Sequence, residues 1–214
     1  EGVLQQELSF PMELVIGDDA SVDNTRSICL EFAKRHPDVV RLLPPSPNMG
    51  IMKNFVRTLQ NCKGEYIAIC EGDDYWIDTD KLRKQVAFLE QNRDFNLCGH
   101  EVYLKKDGNV TTEKAGVYPT SVFSFDDIAA INMRIPTASI VYRNNIEFPD
   151  WIYDLYGGDR ALIFLNAQKG KLKVFDFVGA VYRIHYGGAE QKYKMDKFSL
   201  PYRNIQEDTV YLSM

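Results

Sequence analysis

Three short apolar runs, two ending in acidic residues and one in a Pro-rich loop, constrain this chain more than any other feature. Residues 13–17, 39–43 and 66–70 are too short for globular helices and rich in β-formers, so each reads as a buried strand. Stretches with helical spacing alternate with them. Residues 25–35 place Ile28, Cys29, Phe32 and Ala33 on one face, residues 51–62 form a second helix, and 81–91 align Leu82, Val86 and Leu89. Ser21 and Asp23 are N-cap candidates for the first helix and Pro37 ends it; Asp78, Thr79 and Asp80 cap the third. Strand and helix in this rhythm imply an α/β fold, with a mixed, mainly parallel sheet flanked by helices.

Beyond about residue 94 the pattern becomes mixed. Residues 97–104 and 110–117 flank Lys106-Asp107-Gly108-Asn109, a hairpin signal. A short helix over 125–131, a strand over 138–142 and a helix over 160–169 closed by Gly170 follow. Residues 171–176 and 178–184 read as strands and 200–212 as a terminal helix, while Glu1 to Gln6 resemble the end of a helix begun earlier. With 214 residues and 45% hydrophobic content, the chain suits a single domain, 1–214, with a nucleotide-binding type of layer over 1–95 and a different half over 96–214.

Charge excludes some classes of function. A net charge of −5, from 30 acidic and 25 basic side chains, argues against nucleic acid as a partner, since that needs a basic face. A small anion remains compatible, because a metal ion or helix N-terminus supplies local positive charge. Cys29, Cys62, Cys70 and Cys98 form no CxxC pair and read as small core residues in a reducing compartment. No apolar run approaches the ~20 residues that span a bilayer, and no signal-peptide pattern opens the chain. The expectation is a cytoplasmic domain, with peripheral membrane association left open.

Asp18-Asp19 and Asp73-Asp74 each follow an apolar strand directly. In a parallel sheet the carboxyl ends share one edge, so both pairs are expected on one rim. Four carboxylates together repel unless a cation joins them, and oxygen ligands suit Mg²⁺ or Mn²⁺. Asp18-Asp19 is equally readable as a turn and cap cluster. Asp73-Asp74, between Gly72 and Tyr75-Trp76, has no evident structural duty. The two aromatics suit either a sugar ring or the core. Asp159, after Gly157-Gly158, is an N-cap, a general base, or both. His185, at a strand end before Gly187-Gly188, is a structural histidine or a metal ligand; His36 reads as surface.

These residues carry a resemblance. Residues 13–25, containing Asp18-Asp19-Ala20-Ser21-Val22-Asp23-Asn24-Thr25, resemble the strand and DDxSxDxT segment of family-2 inverting glycosyltransferases with the GT-A (Rossmann-like) fold. Glu71-Gly72-Asp73-Asp74-Tyr75-Trp76 is similar to their DxD-type metal motif, Gly158-Asp159-Arg160 to a late acidic motif, and Tyr182-Arg183-Ile184-His185 to a C-terminal signature. The resemblance implies that Asp19 contacts the nucleotide base, with Asp18 beside it, and that Asp73 contacts the ribose or diphosphate. It implies Asp74 as ligand of a Mn²⁺ or Mg²⁺ bridging the diphosphate, His185 as a further ligand and Asp159 as catalytic base. Asn48, Gly50, Lys53 and Asn54 lie where the family has an Asn-x-Gly segment and receive no role here. The family opens with an apolar strand ending in a Thr-Tyr-Asn-like segment, and nothing of that kind precedes Glu1, so an N-terminal strand is expected to be missing.

The implied activity is transfer of a hexosyl or N-acetylhexosaminyl group from a nucleotide sugar, with UDP the commonest carrier, to a glycan or lipid-linked acceptor. A lipid-linked acceptor would place the chain at the inner membrane face. Two other readings compete. A sugar nucleotidyltransferase favours a Gly-rich phosphate loop with a lysine after the first strand, which this chain does not show. A catalytically silent nucleotide- or carbohydrate-binding module is opposed by intact Asp74 and Asp159.

Overall fold

The computed structural model describes residues 1–106, 108–114, 118, 120–130, 134–155 and 157–185. Its first half follows the expected alternation with one added short strand, β4: β1 (Leu14–Ile16), α1 (Thr25–Arg35), β2 (Val40–Leu42), α2 (Ile51–Gln60), β3 (Tyr66–Ala68), β4 (Tyr75–Trp76) and α3 (Lys81–Gln91). The second half contains β5 (Phe95–Lys106), β6 (Asn109–Lys114), β7 (Val122–Phe123), α4 (Phe125–Ala130), β8 (Val141–Arg143), α5 (Asp159–Ala167) and β9 (Lys171–Ile184). Two 3₁₀ turns, Thr137–Ser139 and Asp150–Asp154, lie before β8 and α5.

The sheet is mixed. β1 and β2 pair in parallel as a two-stranded unit, while β3-β8-β5-β9-β4 form the spine of a seven-stranded sheet, with β6 on β5 and β7 on β9. β8 is antiparallel to both β3 and β5, and β5 is parallel to β9. β3, β5 and β9 therefore share one direction. The reversed β8 between β3 and β5, together with β4, β6 and β7, makes most pairings antiparallel, where the strand–helix rhythm alone suggested a mainly parallel sheet.

Several local expectations shift for identifiable reasons. Residues 138–142 divide into the 3₁₀ turn and β8. The two strands expected either side of Phe177 are one strand, β9, and the break survives as register shifts opposite His100 and Glu101. Gly108 at φ 84° and the Lys106–Asn109 pairing fit the hairpin signal. Asp107, residues 115–117 and the helix expected over 200–212 lie outside the described residues. Glu1 to Gln6 make hydrogen-bonded turns rather than a helix end.

α3 takes its cap from a distance. Its N-cap residue, Asp80, makes no side-chain capping bond. Instead the Gln6 side chain accepts from the Leu82 N–H at 3.0 Å and donates to the Asp78 carbonyl at 2.8 Å. Asp78 accepts from the Asp80 N–H and pairs with Lys84. At α1 the N-cap residue, Asn24, makes no side-chain capping bond, but Asp23 accepts from the N–H of Thr25, the first helical residue, while Ser21 turns back to Asp18.

The core lies between the sheet and helices α2, α3 and α5. Leu97, Val141, Tyr142, Leu162, Ile163 and Leu172 are almost wholly buried, each aliphatic side chain among them worth ~1.5–3 kcal/mol. α2 buries Met52, Val56 and Leu59 on one stripe. α1, by contrast, buries no residue, and Ile28 and Leu30 are exposed. All four cysteines are free; Cys98 is buried and the other three are half-buried.

Candidate active site

The strongest concentration of chemistry lies where the chain leaves β3. Ile69 still bonds to Ile140, and then residues 71–74 turn back, the Asp74 N–H donating to the Glu71 carbonyl at 3.0 Å. The end of β9 passes over this turn. Its Arg183 N–H donates to Asp74 Oδ1 at 2.9 Å, and the Arg183 guanidinium donates to the carbonyls of Asp73 and Gly72. Two residues on, His185 Nε2 lies 3.2 Å from Asp73 Oδ2. Oxygens of Glu71, Asp73 and Asp74 lie within 4.8 Å of one another.

Electrostatics mark this turn as unfinished. Asp74 is 7% exposed, and its Oδ2 is buried without a hydrogen-bond partner. Burial is the main force pushing its carboxyl up to about 6; the Arg183 N–H opposes it and the Asp73 charge adds to it. Glu71 is pushed up to about 8 by the protein mass around it, then by Asp74, Asp73 and Asp159, while a Thr137 hydrogen bond opposes. The Glu71 surface is nevertheless exposed, so solvent weakens the burial contribution and the three like charges are the firmer cause. An orphaned buried carboxylate oxygen amid further carboxylates and an imidazole fits a hard divalent ion such as Mn²⁺ or Mg²⁺.

Asp159 acts electrically on Glu71, so it faces the same region. It is the first residue of α5, whose N-cap is Gly158, so it complements the helix dipole without being the cap itself. Gly158 allows this placement: a Cβ there would meet Phe55 at 2.7 Å and Met52 at 3.3 Å, both on α2.

Asp18 and Asp19 form a second constellation with a different character. Asp18 is 6% exposed, accepts from the Ser21 N–H at 3.3 Å and pairs with Arg26 at 3.2 Å. The Ser21 hydroxyl first, and Arg26 after it, hold its carboxyl below the usual range despite burial. Asp19 accepts from the Met49 and Gly50 N–H groups at 2.8 and 2.9 Å, at the start of α2. The Asp19 carbonyl accepts from the Asn48 side chain, and the Gly17 carbonyl from Asn54. α2 thus links the constellations, its start held by Asp19 and its side chains packed on Gly158.

Sequence reasoning missed Glu71, Thr137 and Arg183 as members of the site. Glu71 stands two residues before Asp73 on the same strand exit, a signal that was available; Arg183 and Thr137 join only through tertiary contact. Trp76 is not free to stack on a sugar. It is 5% exposed, and its Nε1 donates to the Ala138 carbonyl at 2.8 Å. Tyr75 is half-buried. His36 is exposed as expected, stacked on Phe32.

The family model described as glycosyl transferase family 2 matches residues 1–147. A Mycobacterium tuberculosis protein is 36% identical over 88% of this chain and 54% of its own length. The chain therefore spans about half the length of that relative. An Escherichia coli protein named UDP-Glc:alpha-D-GlcNAc-diphosphoundecaprenol beta-1,3-glucosyltransferase is 27% identical over 82% of this chain and 67% of its own length. Among solved structures, S. aureus TarS in complex with UDP aligns at a TM-score of 0.61 and 20% identity, covering 90% of this chain and 56% of that one. A mannosyltransferase from Pyrobaculum calidifontis, in complex with GDP-Man and Mn²⁺, aligns at 0.62 and 15% identity, covering 88% and 52%. These structural likenesses establish the GT-A architecture.

Proposed function

Given that the chain belongs to glycosyl transferase family 2, we propose that it moves a sugar from a nucleoside-diphosphate sugar to a hydroxyl of a glycan or lipid-linked acceptor, with inversion and divalent-ion assistance. The observation that carries this reading is the buried Oδ2 of Asp74, left without a partner beside Asp73, Glu71 and His185. A carboxylate held up to about 6 in such a place is poised for a cation rather than for a protein donor.

Asp74 and His185 would hold Mn²⁺ or Mg²⁺, with Glu71 as a further oxygen ligand. Such an ion, when bound, supplies Lewis-acid stabilisation of the departing diphosphate. Asp73, tied to His185, orients the ribose or diphosphate end of the donor. Asp19 receives the base, and Asp18 holds the loop that presents Asp19. Asp159 takes the proton of the acceptor hydroxyl as that oxygen attacks the anomeric carbon, a role typically worth ~10²–10⁴-fold. Residues 1–95 serve the donor within one domain, and 96–214 supply the acceptor side with Asp159 and reach back to the donor through His185.

Uridine is supported by the E. coli relative, named for UDP-Glc, and by the UDP complex of TarS. The P. calidifontis enzyme carries GDP-Man, which makes guanine the competing base. A lipid-linked acceptor places the chain in the cytoplasm, peripherally at the inner membrane face. No helix among the described residues is long and apolar enough to cross a membrane.

Calorimetric titration of UDP and GDP, first with Mn²⁺ and then with EDTA, tests the reading. Binding of one nucleotide that EDTA abolishes is the expected result. Binding of neither in the presence of Mn²⁺ would remove the donor assignment.

A further inference from the structure

Behind the acidic turn lies a charge that the proposed reaction does not use. Lys81, the first residue of α3, is fully buried. Its Nζ donates to Gln85 Oε1 at 2.9 Å and sits 4.2 Å from the centroid of the Trp76 ring. Gln85, also fully buried, donates through Nε2 to the carbonyls of Ser139 at 2.8 Å and Cys98 at 3.2 Å. The Trp76 indole donates to Ala138. Lys81 thus holds two donors, and both end on the 3₁₀ turn Thr137–Ser139.

That turn carries Thr137, which hydrogen-bonds Glu71. Trp76 follows Asp74 by two residues and pairs with Ala180 on β9, the strand that brings in Arg183 and His185. We propose that Lys81 is a positioning residue for the transfer reaction: its buried amine locks Gln85 and Trp76, and through them the 137–139 turn whose Thr137 meets Glu71. The inference rests on the donor-site reading above.

Stability alone does not account for the charge. A buried cation is costly, and an apolar residue of similar volume in its place is often neutral or stabilising. The cost shows in Lys81 itself, pulled down to about 7 by burial. What methionine would lack is the hydrogen bond that orients Gln85. Ser139 and Ile140 donate their own N–H groups within the turn, to Pro136 and Thr137, so their amides report whether it is held.

The test uses Lys81→Met, with three readouts on the whole chain: hydrogen exchange at Ser139 and Ile140, affinity for Mn²⁺ with UDP or GDP, and melting temperature. We expect exchange at both amides to accelerate about tenfold and metal–nucleotide affinity to fall ~10-fold, the scale of an outer-shell change, with melting near wild type. Wild-type exchange at those amides would overturn the proposal. Faster exchange with unchanged affinity, or affinity lost only in step with a fallen melting temperature, would reduce Lys81 to a structural role and overturn it equally. Should the single variant not fold, Lys81→Met with Gln85→Leu removes the Gln85 acceptor that lysine served, releases the Ser139 and Cys98 carbonyls from their donor, and gives the same readouts. A wild-type chain that binds neither nucleotide with Mn²⁺ would refute the donor reading and, with it, any role for Lys81 in transfer, whereas unchanged exchange in the variant refutes the lock alone.

Discussion

Two acidic pairs that look alike in sequence do different work. Around Asp18 and Asp19 the carboxylates are satisfied: Ser21 and Arg26 serve one, the Met49 and Gly50 amides the other. Around Asp74 one oxygen is buried and unpartnered, and its neighbours are carboxylates. Hydrogen bonds and a guanidinium lower Asp18, while burial and like charge raise Asp74. An acidic pair at a strand end is therefore no uniform signal. The satisfied pair holds the loop together, and the other keeps a buried oxygen that no protein donor meets.

The largest effect expected is at the unsatisfied pair. Asp74→Ala should cut transfer by roughly a thousandfold or more, several kcal/mol being what a Lewis-acid ion supplies, and abolish Mn²⁺-dependent nucleotide binding by calorimetry. Melting should hardly change, because the residue removed is a costly buried carboxylate. Intact Mn²⁺-dependent binding would break the comparison. Asp159→Asn comes next: turnover should fall by ~10²–10⁴ while donor affinity stays near wild type, as loss of a base requires. Wild-type turnover would return Asp159 to a purely helical role.

Asp18→Ala should behave in the opposite manner to Asp74→Ala. Removing charge-assisted bonds should cost about 2 kcal/mol in urea unfolding, with nucleotide binding lost only as far as the loop is loosened. Unchanged stability would show that the satisfied pair is not structural.

The pairs should also differ in the sign of their pH dependence. Asp18 is held below its unfolded value of 3.8, so its stabilisation is present above that pH and is lost as pH falls through the lower, folded value. Asp74 is raised from 3.8 to about 6, so the folded chain holds the extra proton and stability declines as pH rises across that window. Mn²⁺ competes with that proton, so its affinity should weaken about tenfold per pH unit below about 6 and level off above. Affinity independent of pH there would assign the ion to other ligands. The smallest effect is at Asp19→Asn, where the amide oxygen can still accept from a loop N–H. Stability should drop by about 1 kcal/mol or less, while donor affinity falls further, as loss of a contact with the base requires; donor affinity in step with stability would confine Asp19 to holding the loop.

Much of this was legible beforehand. Apolar runs of strand length, helical stripes and the acidic pairs at strand ends are local patterns, and they located β1 to β3, α1 to α3 and the turn that gathers Asp73, Asp74 and His185. The motifs also pointed to Asp159, which the structure sets within electrical reach of Glu71. Less visible was the helix cap from Gln6, which lies 76 residues from the amide it serves. The reversed β8 was equally hidden, because its sequence reads as a buried strand in either direction.

What the sequence by itself determined, then, was the family pattern, the α/β layering and the residue types offered at each strand end, because periodicity and side-chain chemistry are local properties. Tertiary structure alone decided which carboxylates are spent and which are free. That depends on burial and on partners such as Arg183, Met49 and Gly50, brought from far along the chain, and on a desolvation that exists only once β9 closes over the turn.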